Sequence, residues 1–188
     1  MTQKEIEQII NESTETHNLT HNYNNEILKA AQIIITTLKK GNKVLACGNG
    51  GSALQAQHFT GELVGKFEKE EKKALPAIAL NTDSGNMTAV GNDYDFSQVF
   101  KRQVQALGKP GDVLICFSTS GNSENLIQAT NKIKNIKVIN LLGRDGGKMK
   151  GTGDLDIIIE SKSTARIQEC HLLILHIWAK LVENAFTK

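Results

Sequence analysis

A large net charge, long apolar runs and closely spaced cysteines are all missing from this sequence. The 22 basic and 20 acidic side chains among 188 residues leave a net charge of +2, which indicates neither a nucleic-acid nor a membrane-surface partner. The apolar runs are far shorter than the roughly 20 residues that a membrane-spanning helix needs. The first ten residues, MTQKEIEQII, also lack the apolar centre of a signal peptide. We therefore expect no membrane partner.

The three cysteines, Cys47, Cys116 and Cys170, are odd in number and lack the close spacing of a zinc ribbon or a redox motif. Two of them lie at the ends of short apolar runs that we interpret as strands. These features favour reduced, buried side chains in a cytoplasmic protein over a catalytic thiol.

The pattern of apolar segments predicts a single α/β domain over residues 1–188. Helical patterns over residues 2–19 and 24–40 come first, and we expect these N-terminal helices to pack on the core and to contact other subunits. Residues 41–188 form the core, in which short apolar runs alternate with helical patterns. Because every connection is long enough for a crossover, we predict a three-layer α-β-α sandwich with about five parallel strands. The predicted strands are 44–47, 76–80, 113–117, 136–142 and 155–159.

Smaller features complete this prediction. The polar segment 91–95 is interpreted as a break before a helix over 96–107, and the helix after residue 123 is expected to reach Ile133. His17 and His21 are expected in a solvated link between the first two helices.

A glycine-rich junction between the first strand and its helix is the first candidate binding feature. It has the sequence GNGG at residues 48–51, and a helical pattern opens at Ser52. Such a loop lets the backbone approach a ligand closely, and the free N–H groups of the following helix favour an anion such as phosphate. Farther along, His58 and Glu62 share one face of the helix and could bind one metal ion or substrate. The alternative is a plain tight turn followed by a solvated helix face.

A second strand–loop–helix junction, STSGNS at residues 118–123, also has anion-binding character. It brings hydroxyl and backbone N–H groups to the carboxyl end of a buried strand, where open parallel sheets bind ligands. No carboxylate follows until Glu124. We interpret this segment as a phosphate-binding loop, with redundant helix-capping residues as the alternative.

The last helical pattern, residues 164–186, is apolar over much of its surface but contains Gln168, His171 and His176. Gln168 and His176 are about 80° apart around the helix and two turns apart along it. A lone histidine on an apolar helix is usually a core residue. That interpretation weakens here because His58 and Glu62 could supply the other half of a site.

The order of these motifs resembles that of the bacterial phosphoheptose isomerases, which are sedoheptulose 7-phosphate isomerases with the sugar isomerase (SIS) fold. The glycine or serine loop alone would indicate only a phosphosugar-binding domain, whereas all of the segments in order are much more specific. The matching segments are GNGGSA at 48–53 with His58 and Glu62, VGNDYDF at 90–96, STSGNS at 118–123, GRDGGKMKG at 143–151, and ARIQE at 165–169 with His176.

The resemblance implies roles for particular side chains. The residues implied to hold the sugar phosphate are Ser118, Thr119, Ser120 and Ser123. Those implied to contact the rest of the substrate are Asn49, Gly50, Ser52, Asp93 and Gln168. The implied acid–base pair is Glu62 and His176, and the implied ligands of one zinc ion per subunit are His58, Glu62, Gln168 and His176. The two roles of Glu62 compete, because a carboxylate bound to zinc is a poorer base.

The resemblance also implies a reaction and an assembly. The expected reaction converts sedoheptulose 7-phosphate into D-glycero-D-manno-heptose 7-phosphate through an enediol, as the first step toward heptose precursors of lipopolysaccharide or capsule. A carboxylate and a nearby imidazole can supply the base and the acid that this reaction needs. The expected assembly is a homotetramer with active sites between subunits. The rival hypotheses are a non-catalytic SIS-domain adaptor that binds a replication-initiator protein and a sugar-phosphate sensor, neither of which needs an acid–base pair.

Overall fold

The computed structural model describes residues 2–131, 133 and 135–187. Its helices are α1 Gln3–Leu19, α2 Asn24–Lys39, α3 Gly51–Val64, α4 Ser84–Asp93, α5 Val99–Leu107, α6 Glu124–Thr130 and α7 Thr164–Phe186. Its strands are β1 Val44–Gly48, β2 Ala77–Ala79, β3 Val113–Ser118, β4 Lys137–Gly143 and β5 Leu155–Ile159. Short 3-10 turns cover Thr20–Tyr23, Phe96–Gln98 and Gly147–Met149. This order of elements confirms the predicted α/β class.

Within the described residues, the strands form one parallel sheet in the order β2-β1-β3-β4-β5. From β1 the chain moves to β2 on one side, and it then returns to place β3 on the other side. The strand order therefore reverses between β1 and β3, and open parallel sheets bind ligands outside the carboxyl ends of the strands at such a point. The glycine loop follows β1 and the serine loop follows β3, so both predicted loops lie at this point.

Helices cover both faces of the sheet, so alternate residues of the central strands belong to two separate cores. Val44 and Ala46 of β1 face the core that α2, α3 and α7 close. Leu45 and Cys47 face the other core, which α5 and α6 close. Burial of the central strands on both faces explains their unbroken apolar runs. The predicted three-layer sandwich of about five parallel strands is confirmed.

Several predicted boundaries differ from those in the structure. Helix α4 continues through Asp93, and Tyr94 N donates to the Val90 carbonyl oxygen at 3.1 Å to close its last turn, so the segment 91–95 is not a break throughout. Helix α6 ends at Thr130 and does not reach Ile133. His17 lies in the last turn of α1, where its Nδ1 is 2.8 Å from the Ser13 carbonyl oxygen, and not in a solvated link.

The cysteines are buried and unpaired, as predicted. Cys47 and Cys116 face each other across β1 and β3, with their sulfur atoms 3.6 Å apart. The hydrogen bond with Cys116, together with burial, raises the pKa of the Cys47 thiol well above its ordinary value, which disfavours a reactive thiolate. Over the residues that the structure describes, none of the helices is both long and apolar enough to span a bilayer.

Candidate active site

In the glycine loop after β1, the backbone conformation and the close packing exclude side chains at several positions. Gly50 has φ of +55°, in the region that favours glycine. A Cβ atom on Gly48 would lie 2.5 Å from the Ser52 carbonyl oxygen, and one on Gly51 would lie 2.5 Å from the Gln168 side-chain nitrogen. The loop therefore passes directly from β1 into α3, and its second half is covered by the side chain of Gln168.

The serine loop after β3 holds its hydroxyl groups in part by internal hydrogen bonds. Ser118 Oγ accepts from Gly121 N at 3.0 Å, and Ser120 Oγ accepts from Asn122 N at 3.2 Å. A hydroxyl that accepts such a bond keeps its own proton free to donate to an anion. Ser123 starts α6 without a capping bond from its side chain, and Thr119 is half-buried. The loop thus presents several hydroxyl donors in a small volume.

The segment 143–151 supports the serine loop from the side of β4. Gly121 has φ of +62°, and a Cβ atom there would lie 1.8 Å from the Gly146 carbonyl oxygen. Lys148 N donates to Asn122 Oδ1 at 3.1 Å, and Met149 N donates to the Gly121 carbonyl at 3.0 Å. A Cβ atom on Gly147 would lie 2.3 Å from the Ser120 carbonyl oxygen, so this close approach accounts for the glycine at that position of the segment.

A pair of asparagine side chains joins the two loops. Asn49 Nδ2 donates to Asn125 Oδ1 at 2.9 Å, and Asn125 Nδ2 donates to Asn49 Oδ1, also at 2.9 Å. Asn125 lies in the first turn of α6 and is 3% exposed. Sequence reasoning missed this residue, and the available signal was an amide side chain two residues after a serine-rich loop.

A second group of polar side chains lies between α3 and α7. His58 Nε2 is 3.0 Å from Glu62 Oε1 and 3.4 Å from His176 Nε2. The two imidazole rings meet edge to face, with their centroids 4.9 Å apart. Sequence spacing predicted that His58 and Glu62 would share a helix face, and the packing of α3 against α7 adds His176.

The surroundings of His176 favour its neutral form. Burial lowers the pKa of this imidazole and the nearby His58 lowers it further, while the Glu62 carboxylate acts in the opposite direction. The ring of Phe67, which sequence reasoning also missed, lies 5.7 Å from His176. The loop that carries Phe67 is held by the buried carboxylate of Glu183, which accepts from the next two backbone N–H groups at 2.9 Å each. A neutral imidazole can act as a base or as a metal ligand.

Within one chain, the remaining predicted site residues lie outside this second group. The side-chain amide of Gln168 lies against Gly51 at the start of α3, and His176 contacts His58 about 10 Å farther along α3. Helices α3 and α7 therefore run in the same direction. Asp93 is exposed at the end of α4, where it accepts from the Asn92 side chain. The two groups, one at the loops and one between the helices, are therefore distinct regions of each chain.

The spacing of the two imidazoles fits a zinc ion, although a complete site is not formed. Two nitrogen ligands of a tetrahedral zinc ion, each about 2.0–2.1 Å from it, lie about 3.3–3.4 Å apart. His58 Nε2 and His176 Nε2 are 3.4 Å apart. In the described part of the chain, no group of three or more His, Cys, Asp or Glu side chains surrounds one metal position. A third ligand would have to turn toward the two imidazoles.

Comparison with known proteins identifies the family. A family model described as SIS domain matches residues 9–143. The phosphoheptose isomerase of Aliarcobacter butzleri is 51% identical over 158 residues, which cover 83% of this chain and 83% of that protein.

Solved structures agree with the sequence relatives. A phosphoheptose isomerase from Francisella tularensis superimposes with a TM-score of 0.93 at 39% identity, covering 98% of this chain and 100% of that chain. The phosphoheptose isomerase from Neisseria gonorrhoeae superimposes with a TM-score of 0.90 at 40% identity, covering 97% and 98% of the two chains. The chain therefore belongs to the phosphoheptose isomerase family of SIS-domain proteins.

Proposed function

We propose that this protein converts sedoheptulose 7-phosphate into D-glycero-D-manno-heptose 7-phosphate in the cytoplasm. The observation that carries the proposal is the contact of the Glu62 carboxylate with His58 and of His58 with His176, in a chain about half identical to proteins named phosphoheptose isomerase. An adaptor or a sensor could use the glycine and serine loops, but it would have no need for this second group. The product would serve as a heptose precursor for lipopolysaccharide or capsule.

The reaction moves hydrogen between the first two carbons of the sugar. A base removes a proton from C1 of the ketose while an acid protonates the oxygen on C2, which gives an enediol. Loss of the proton from the C1 oxygen and protonation of C2 then give the aldose. We assign the carbon-bound proton to Glu62 and the oxygen-bound protons to His176, since a carboxylate and a neutral imidazole suit these roles.

The serine loop holds the substrate phosphate in this proposal. Hydroxyl groups of Ser118, Thr119, Ser120 and Ser123 donate to its oxygens, and the glycine loop with Asn49 and Ser52 contacts the sugar chain. Binding energy gained at the phosphate, remote from the reacting carbons, then orients C1 and C2 toward the acid–base pair. Gln168, whose side chain lies against Gly51, would contact the sugar beside the glycine loop.

Zinc is part of the proposal as a bound cofactor, one ion per subunit. His58 and His176 would hold it, and the Glu62 carboxylate, which lies 3.0 Å from His58 Nε2, would turn to add a third ligand. When bound, zinc would polarise the substrate carbonyl and stabilise negative charge on the enediol oxygens. A Glu62 carboxylate bound to zinc would be a weaker base, so the two roles of this residue compete.

A homotetramer with active sites between subunits completes the proposal. Three isoleucines on α1, Ile6, Ile9 and Ile10, are 61%, 53% and 57% exposed in the single chain. Exposed apolar side chains on one helix are suited to contact with further copies. Light scattering on the purified protein measures the assembly directly, and a monomer would contradict this part of the proposal.

The decisive experiment is incubation of the purified protein with sedoheptulose 7-phosphate in deuterated water. We expect an aldoheptose phosphate that carries solvent deuterium on C2. Glu62→Gln should lower turnover by about 10²–10⁴-fold, the range for loss of a positioned acid–base group. Glu71→Gln, which neutralises an exposed carboxylate in the loop after α3, is the matched control. Near-normal turnover in Glu62→Gln would rule out the proton-transfer role of Glu62.

A further inference from the structure

We propose that Asn125 is a positioning residue that orients the Asn49 side chain toward the substrate and sets the spacing between the glycine and serine loops. This inference rests on the proposed function, because it assigns Asn49 to the sugar chain and the serine loop to the phosphate. Asn125 itself does not need to touch the substrate, since it acts through Asn49.

The contact between the two side chains is reciprocal. Each amide donates one N–H to the carbonyl oxygen of the other, and both distances are 2.9 Å. Asn125 is 3% exposed, so bulk water cannot readily replace Asn49 as its partner. A buried amide without a hydrogen-bond partner costs more free energy than a solvated amide, which bonds to water instead. The pairing of Asn49 with Asn125 is therefore strongly preferred over other arrangements of the two side chains.

The pairing limits what Asn49 can offer a ligand. A carboxamide has two N–H donors and two lone pairs on its oxygen. Asn125 uses one of each, so Asn49 retains one N–H and one lone pair in a defined direction. A sugar hydroxyl, which both donates and accepts, matches this remaining pair of groups. Phosphate, which offers mainly acceptors, does not.

The pairing also connects two parts of the chain that are far apart in sequence. Asn49 follows β1, and Asn125 lies in α6 just after the serine loop that follows β3. β1 and β3 are adjacent and in register from Val44 with Val113 to Gly48 with Phe117, so their loops emerge side by side. The amide pair is a side-chain bond across this gap. It therefore holds the part of the site that binds the sugar at a constant distance from the part that binds phosphate.

This arrangement predicts that loss of Asn125 affects the sugar and spares the phosphate. In Asn125→Ala, we expect kcat/KM for sedoheptulose 7-phosphate to fall about 10- to 100-fold, the range for losing two buried amide bonds. Affinity for inorganic phosphate, measured by titration calorimetry, should stay within about twofold of wild type if the serine loop is intact. Asn42→Ala, at the opposite end of β1, is the matched control for loss of a partly buried amide.

A double-mutant cycle tests whether Asn125 acts through Asn49. The variant Asn49→Ala/Asn125→Ala should have the same kcat/KM as Asn49→Ala alone, because the partner of Asn125 is already missing. Losses that multiply in the double variant would overturn the proposal, as would a parallel loss of phosphate affinity in the Asn125 variants.

A second readout separates this inference from the proposed function. If the wild-type protein does not turn over sedoheptulose 7-phosphate, the proposed function fails, and the same cycle is then measured on unfolding in urea. Non-additive effects of the two substitutions on stability would still support the amide pair, and additive effects would refute it.

Discussion

Acid should destabilise this protein through His171, a buried histidine of α7 that takes no part in the proposed chemistry. The side chain is fully buried, and its Nε2 donates to the Leu142 carbonyl oxygen at 3.0 Å. Nδ1 is buried without a hydrogen-bond partner. Burial lowers the pKa of His171 from 6.5 to about 4, and the bond to Leu142 only partly opposes this effect. The folded protein therefore keeps this imidazole neutral.

The sign of the pH effect follows from proton binding. Between pH 6.5 and about 4, the unfolded chain binds a proton at His171 that the folded chain does not bind. The contribution of His171 to the free energy of unfolding is fully present above pH 6.5 and is lost as the pH falls toward 4. A pKa difference of this size corresponds to roughly 3 kcal/mol, which is a large fraction of the stability of an ordinary domain.

The assay is urea unfolding at fixed protein concentration from pH 7.5 to 4.5, on wild type and on His171→Gln. Glutamine can donate a hydrogen bond to the Leu142 carbonyl oxygen but does not titrate. As the pH falls over this range, the free energy of unfolding of the variant should therefore decrease by about 2 kcal/mol less than that of wild type. His21→Gln removes an exposed imidazole of the N-terminal segment and gives the baseline. Parallel pH profiles for wild type and His171→Gln would refute this reasoning.

Three further predictions concern other parts of the structure. Gly121→Ala should abolish binding of inorganic phosphate by calorimetry, because its Cβ would lie 1.8 Å from the Gly146 carbonyl oxygen, and retained binding would contradict the packing of the serine loop. Lys72→Met should destabilise the fold by about 1–3 kcal/mol in urea unfolding, because the buried ammonium donates to the Leu63 and Gly65 carbonyl oxygens at the end of α3. An unchanged urea midpoint in Lys72→Met would show that water takes the place of the ammonium as the donor to these two carbonyl oxygens. Chelation should remove about one zinc ion per chain by metal analysis and lower turnover, and full activity in the metal-free protein would exclude a catalytic role for zinc.

The loops and their neighbours show how far sequence reasoning extends. The glycine and serine loops were identified because close backbone approach and clustered hydroxyl groups restrict residue types locally. The pairing of His58 with Glu62 was also predictable, since helical periodicity alone places them on one face. Asn125 and Phe67 were missed because each acquires its role only from a contact with an element distant in sequence.

The sequence by itself determined the alternation of strands and helices and the position of the two loops. Each of these depends on interactions between residues close in the chain, such as apolar periodicity and turn chemistry. Only the tertiary structure decided that β1 and β3 are neighbours, that His176 meets His58 and that Gln168 lies instead against Gly51. Strand order and helix packing follow from burial of the whole core, and no local pattern specifies which distant side chains will meet.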